Sequence, residues 1–251
     1  MTNNKNLTKL SLLLNKRTAG VPVTAKFLSS LGISPALAAH FCDSKYLHRL
    51  GRGAYVVAGD VLLADGIVKA VIENDSDMHF AGKTALALHH ISHNGYVNPR
   101  LRLFGVGHHS IPEWASQVSY RNAESLFDFS GDNGKQLDEE TRPALPSNRI
   151  KVSCSCKERA ILELLFDVGK FQDYEETVNI LEGVTNLRPD VMVNLLQRCQ
   201  SQKVLRMFQK TLKDNPFLGF DVKKLFEENN IKTGSKYLYK VRIENGNFIY
   251  I

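Results

Sequence analysis

Lys45, His48, Arg49 and Arg52 fall within one short pattern, Lys45-Tyr-Leu-His-Arg-Leu-Gly-Arg-Gly-Ala-Tyr-Val-Val57. Cations spaced along a β-prone run around Gly51-Arg52-Gly53 suit contact with phosphate oxygens or a DNA minor groove. The pattern belongs to a wider imbalance. The first 59 residues hold eight Lys or Arg (Lys5, Lys9, Lys16, Arg17, Lys26, Lys45, Arg49, Arg52) against one acid, Asp43, while the remainder holds 24 basic and 25 acidic residues. A compact basic segment on a near-neutral body reads as a tethered polyanion binder.

Other patterns invite enzymatic or metal chemistry and are weaker. Gly82-Lys83-Thr84 looks like the end of a P-loop, but that motif needs a glycine where Asp77 stands. His89 and His93 are spaced to share a helix face, and His90, His108 and His109 lie nearby. No carboxylate or cysteine joins them at a diagnostic metal spacing. Cys154-Ser-Cys156 lacks a partner pair, since Cys42 and Cys199 are isolated, and buried thiols would act as small hydrophobes. No Gly-x-Ser-x-Gly, G-x-G-x-x-G or convincing carboxylate pair is present. The expectation is a non-enzyme without metal or cofactor.

A second basic feature lies in the C-terminal half. Lys203, Arg206, Lys210 and Lys213 recur at helical spacing, with Arg198 as an extension. A solvated helix face and a second phosphate-contacting surface fit this stripe equally well.

The elements that must carry the first pattern are legible in order. Leu7 to Arg17 forms a helix with Leu10, Leu13 and Leu14 on one side, broken by Gly20-Val-Pro22. A second helix runs from Val23 or Thr24 to Leu31, with Gly32 as a left-handed stop. Ser34 caps a third, begun by Pro35 and running to about Ser44, with Ile33, Leu37 and Phe41 inward and Ala36, Ala39, His40 and Asp43 outward. A hairpin follows, Tyr46 to Leu50 and Ala54 to Val57. Helix, glycine turn, helix and basic hairpin is the layout of a winged helix-turn-helix. A small helical domain with an incidental hairpin would look similar; the charge segregation favours DNA binding.

Beyond Asp60, Val61, Leu62, Ile67, Val68, Val71 and Ile72 predict a linker helix. Met78 to Ile91 predicts a short strand and a helix, Arg100 to Val106 a strand, and Pro112-Glu-Trp114 a surface turn. Ser130 to Ser147 is polar and turn-rich and predicts a loop. Arg149 to Ser153 predicts a strand, followed by helices over Lys157–Phe166, Tyr174–Leu181, Pro189–Cys199, Gln202–Asn215 and Asp221–Asn229. Tyr237 to Ile251 reads as a hairpin across Asn245-Gly246. The expected fold class is α+β: an N-terminal winged helix-turn-helix domain, 1–75, then a larger mixed α/β C-terminal domain, 76–251.

Hydrophobic content of 43% and charged content of 23% argue against disorder outside short connectors. The N-terminus lacks the pattern of a signal peptide, no apolar run is long enough for a bilayer, and four cysteines are too few for a secreted disulfide framework. These features predict a soluble cytoplasmic protein with no membrane partner.

At several of these places the chain resembles the AbiEi-type antitoxins of bacterial type IV toxin-antitoxin systems. The resemblance runs through Tyr46 to Val57, Phe80-Ala-Gly-Lys-Thr-Ala-Leu-Ala-Leu-His89, Ile150-Lys-Val-Ser153 with Glu158-Arg-Ala-Ile-Leu-Glu-Leu-Leu165, Gly183-Val-Thr-Asn-Leu-Arg-Pro189, Leu195-Leu-Gln-Arg-Cys199 and Lys203-Val-Leu-Arg-Met-Phe208. It covers nearly the whole chain. It implies an autorepressor that binds double-stranded operator DNA and neutralises a nucleotidyltransferase-like toxin through its C-terminal domain, without needing a stable complex. Expected DNA-contacting residues are Lys16, Arg17, Thr24, Lys26, Ser34, His40, Lys45, His48, Arg49 and Arg52. The third helix presents no Arg, Asn or Gln outward, so the hairpin or DNA shape must supply more of any specificity. The alternative is a regulator or interaction protein unrelated to a toxin, whose basic unit docks RNA or an acidic protein.

Overall fold

The computed structural model describes the backbone of residues 2–73, 77–91, 100–147, 150–214, 216–234, 240–242 and 248–250. The chain is mixed α/β, with an N-terminal and a C-terminal domain. By contact it forms two compact units: one takes residues 1–77, 110–119 and 146–152, the other 78–109, 120–145 and 153–251. The expected boundary at 75/76 lies outside the described residues, as do His93 and the Asn245-Gly246 turn.

The first unit contains α1 (Thr2–Lys16), β1 (Val23–Thr24), α2 (Ala25–Ser30), α3 (Pro35–Asp43), β2 (Leu47–Gly51), β3 (Ala54–Val57) and α4 (Ala64–Ile72). Its sheet is antiparallel in the order β1-β3-β2, so β2 is an edge strand. Leu10, Leu13, Val23, Leu28, Ile33, Ala38, Phe41, Leu47, Tyr55 and Val57 form one core. Each large apolar side chain buried there contributes about 1.5–3 kcal/mol. Leu14 departs from the expected stripe, being 43% exposed.

Local chemistry sets the two short helices. Thr24 Oγ1 accepts from Phe27 N to start α2, and Ser34 Oγ accepts from Leu37 N to start α3, with Pro35 in its first turn. At the end of α2, Gly32 takes φ +68°; its N–H reaches Ser29 O and that of Ile33 reaches Leu28 O, both at 2.9 Å. This pair of hydrogen bonds to the last carbonyls is a Schellman motif, with Ile33 and Leu28 meeting in the core. The end of α3 repeats it with Lys45 in the left-handed position, φ 59°.

The predicted linker helix is α4, and it belongs to the first unit. A Cβ on its Gly66 would lie 2.0 Å from Gly20 O, so only a glycine lets the helix seat there. Val61 precedes α4 and is 81% exposed, outside the apolar stripe. Pro112-Glu-Trp114 is not a free surface turn: a 3₁₀ turn, Glu113–Ala115, packs on β2 and α4.

Along the rest of the chain run β4 (His79–Phe80), α5 (Gly82–Leu88), β5 (Leu101–Gly105), β6 (Val118–Asn122), α6 (Gly131–Glu140), β7 (Ala144–Ser147), β8 (Ile150–Ser153), α7 (Lys157–Asp167), α8 (Tyr174–Glu182), α9 (Pro189–Gln197), α10 (Gln202–Asp214), β9 (Lys240–Arg242) and β10 (Phe248–Tyr250). Strands pair in the orders β4-β5-β6, β7-β8 and β10-β9. In the second unit α7 is the central helix, packed by α5, α8, α9 and α10, with Phe80, Leu86, Phe104, Leu126, Ile161, Leu162, Leu164 and Phe208 fully buried.

The predicted loop from Ser130 to Ser147 is instead α6 and β7. The helix was hidden because it buries only Gly134 and Leu137; ion pairs from Asp138 to Arg142 and Arg159 hold its polar remainder. Residues Lys223–Glu227 form a π-helical turn where an ordinary helix was expected.

Candidate nucleic-acid interface

Four exposed basic residues of the first unit follow one another along the edge strand and its turn. Lys45 precedes β2, His48 and Arg49 lie on it, and Arg52 occupies the turn; all four are exposed. Register gives His48 opposite Val56 and Arg49 opposite Tyr55, then shifts so that Gly51 faces Ala54. Leu50 is thus the extra residue of a bulge, leaving Arg52-Gly53 as a two-residue turn with Gly53 at φ +73°. The Arg49 guanidinium lies 5.9 Å from the Tyr55 ring centre. Lys16 and His40 are also exposed.

Other expected contacts are occupied within the fold. Thr24 is only 4% exposed and its hydroxyl caps α2, which makes it a structural residue, unlike the DNA contact expected. Arg17 pairs with Asp60 at 2.8 Å, and Lys26 Nζ donates to Glu73 O at 2.9 Å. Ser34 is exposed but its Oγ is engaged as the α3 cap. Lys9 Nζ donates to Leu31 O at 2.7 Å, beside Gly32, and stabilises the turn between the two helices.

The outward residues of α3, namely Ala36, Ala39, His40 and Asp43, are exposed as expected. Leu37 is half-buried, and Ala38, not assigned by the sequence pattern, is buried. Sequence reasoning also missed β1, too short to show a period, and the contact of Trp114 with Gly51.

Cations of the second unit are arranged differently. Lys203 does not join an exposed stripe: its Nζ donates to Phe166 O and Val168 O at the end of α7, and burial lowers its pKa to about 8. Arg198 donates from Nη1 to Asp128 O and Ser130 O, and Lys210 pairs with Asp214 at 2.8 Å. Lys213 is exposed and Arg206 half-exposed. The helical spacing is real, but Lys203 and Arg198 turn to backbone carbonyls while Lys210 and Lys213 stay at the surface.

Gly82-Lys83-Thr84 also serves the fold. Gly82 N donates to Glu163 Oε2 at 3.1 Å, so a buried carboxylate occupies the start of α5. Lys83 pairs with Glu176, and Thr84 Oγ1 accepts from Arg102 N. Glu163 also meets His79 Nε2 at 2.9 Å, Ser155 Oγ at 2.7 Å and Arg159 Nε at 2.8 Å. Burial alone would raise its pKa; His79, Arg159 and Ser155 outweigh it and hold the carboxyl well below the usual range. Burial and then Arg159 also lower the pKa of His79, against Glu163, which raises it.

Among the described residues no group of three or more His, Cys, Asp or Glu is placed to hold a metal. His89 Nε2 instead meets Ser155 O at 2.8 Å. Cys154 and Cys156 are buried, and burial raises both thiol pKa values, that of Cys156 to about 12. They pack as small apolar groups. No described helix is long and apolar enough to cross a membrane.

Residues 98–249 match the family model "Transcriptional regulator, AbiEi antitoxin, Type IV TA system", and residues 6–96 match "Transcriptional regulator, AbiEi antitoxin N-terminal domain". Among solved structures, the RV2827C protein from Mycobacterium tuberculosis is similar with a TM-score of 0.60 at 13% identity, covering 93% of this chain and 86% of that one. At that identity the likeness speaks for the fold alone. A search of curated proteins finds no match.

Proposed function

Given that the chain belongs to the AbiEi family of type IV toxin-antitoxin transcriptional regulators, we propose that it represses its own operon and neutralises a nucleotidyltransferase-like toxin. In this reading residues 1–75 carry a winged helix-turn-helix that binds operator DNA, and residues 76–251 carry the neutralising activity. The observation that carries the DNA reading is the row Lys45, His48, Arg49 and Arg52, exposed on one edge strand and its turn in a segment with a single acid.

The chemistry is additive phosphate contact. Each cation that replaces a condensed counterion steepens the salt dependence of binding by about one unit of log-log slope. α3 would lie in the major groove with small side chains outward, allowing close approach, while the hairpin reaches the backbone or the minor groove. Lys16 and His40 extend this proposed contact set; Ser34 contributes as the cap that orients α3. A family of regulators, not enzymes, fits a surface built for contact.

Full-length protein and an Arg49→Ala/Arg52→Ala variant, titrated with salt on duplex DNA from upstream of the gene, test the assignment. The variant should bind more weakly, with a slope flatter by roughly 2 units. An unchanged slope removes the hairpin from the interface. For neutralisation, residues 76–251 co-expressed with the neighbouring toxin should restore growth; continued arrest counts against that division of labour.

A further inference from the structure

We propose that Trp114 is a positioning residue for the basic hairpin. This rests on the reading of the first unit as DNA-binding. The chain's single tryptophan comes from residues 110–119, far along the sequence, yet belongs to the first unit. A Cβ on Gly51 would lie 3.2 Å from both Trp114 Cβ and Cδ1 and 3.6 Å from Cγ. The side chain thus lies against the last residue of β2, immediately before Arg52.

The lack of a side chain at Gly51 gives the indole room there, and the backbone at Gly51 does not itself call for glycine. Gly53 takes φ +73°, whereas Gly51 is outside the left-handed region. The Trp114 segment is itself anchored: Ala115 and Val118 are buried, Ala115 N bonds Pro112 O at 2.9 Å, and the turn also packs on α4. The strand end needs such support, because the Leu50 bulge interrupts its regular ladder just before the turn. Trp114 holds that end in place, which lowers the ordering entropy lost when Arg52 meets a phosphate.

The test uses the full chain, duplex DNA from upstream of its gene, and an unrelated duplex of equal length. Trp114→Ala should lose roughly tenfold in affinity and about one unit of salt slope, while Trp114→Phe keeps both near wild type. Arg52→Ala should cause a similar loss, and the double variant should be little worse than either, since both remove one contact. Gly51→Val, whose branched side chain has no room beside an indole already 3.2 Å from the added Cβ, should reproduce the loss even if Trp114→Ala does not fold. Amide exchange at residues 47–57 should quicken about tenfold in Trp114→Ala or Gly51→Val, and little elsewhere in the unit.

Additive losses from Trp114→Ala and Arg52→Ala, or unaltered exchange in the hairpin, overturn the proposal. If the wild-type chain binds neither duplex with salt dependence, the DNA reading itself fails, and with it the role of Trp114 in binding. The exchange measurement then decides whether Trp114 supports the hairpin at all.

Discussion

In the first unit Lys45, His48, Arg49 and Arg52 stand in solvent, whereas in the second Arg102, Arg121 and Arg159 turn onto carboxylates and Lys203 onto the carbonyls ending α7. The central helix α7 buries Glu158, Arg159, Glu163 and Asp167, and each is paired. Arg121 also stacks over Phe166 at 3.7 Å and Arg102 over Phe171 at 4.0 Å. The same residue types therefore do opposite work. A cation on an edge strand keeps its charge available to a ligand; one packed beside a buried carboxylate is consumed by the fold, because either charge left alone there would be costly.

The largest test of that contrast is Glu163→Gln. Removing the charge beneath His79, Gly82, Ser155 and Arg159 should destabilise the chain by about 3–5 kcal/mol in a denaturant melt. A loss below about 1 kcal/mol would mean the buried network is dispensable. Acid attacks the same network in two stages. The folded pKa of His79 lies below 6.5, so the unfolded chain takes up that proton first and stability falls as pH drops below about 6.5. The folded pKa of Glu163 lies below 4.5, adding a second loss as pH drops below about 4.5. Melting temperatures of His79→Gln should lack the first stage and keep the second.

Lys203→Ala sharpens the comparison from the other side. Leaving Phe166 O and Val168 O without this donor should cost about 1–3 kcal/mol while the DNA salt slope stays unchanged. A flattened slope would restore Lys203 to a DNA surface. Lys45→Gly is smaller and of opposite sign. Glycine relieves the left-handed strain at φ 59°, so the variant should gain about 1 kcal/mol in a melt yet bind DNA more weakly. Arg49→Ala/Arg52→Ala should move stability least, within about 0.5 kcal/mol, because these side chains are exposed.

Legibility followed the range of the interactions. α3 was readable almost to the residue because its cap, its proline and its inward positions lie within a dozen residues. The hairpin was readable for the same reason, with glycines beside its turn. β1 was not: two residues show no period, and their strand partner lies in β3, about thirty residues on. α6 was hidden by polar residues whose partners include Arg159 of α7. Among the expected DNA contacts, the sequence could not reveal that Arg17 serves Asp60, Lys26 serves Glu73 O and Thr24 serves its own helix.

The sequence by itself determined where positive charge concentrates, where Gly32 and Ser34-Pro35 divide two helices, and which family the chain resembles. Composition and short-range backbone preferences carry those features. Only the tertiary structure decided which cations remain exposed, that Trp114 lies against Gly51, and that Glu163 gathers His79 from 84 residues away. Those outcomes depend on burial and on partners brought together by packing, and no local spacing encodes them.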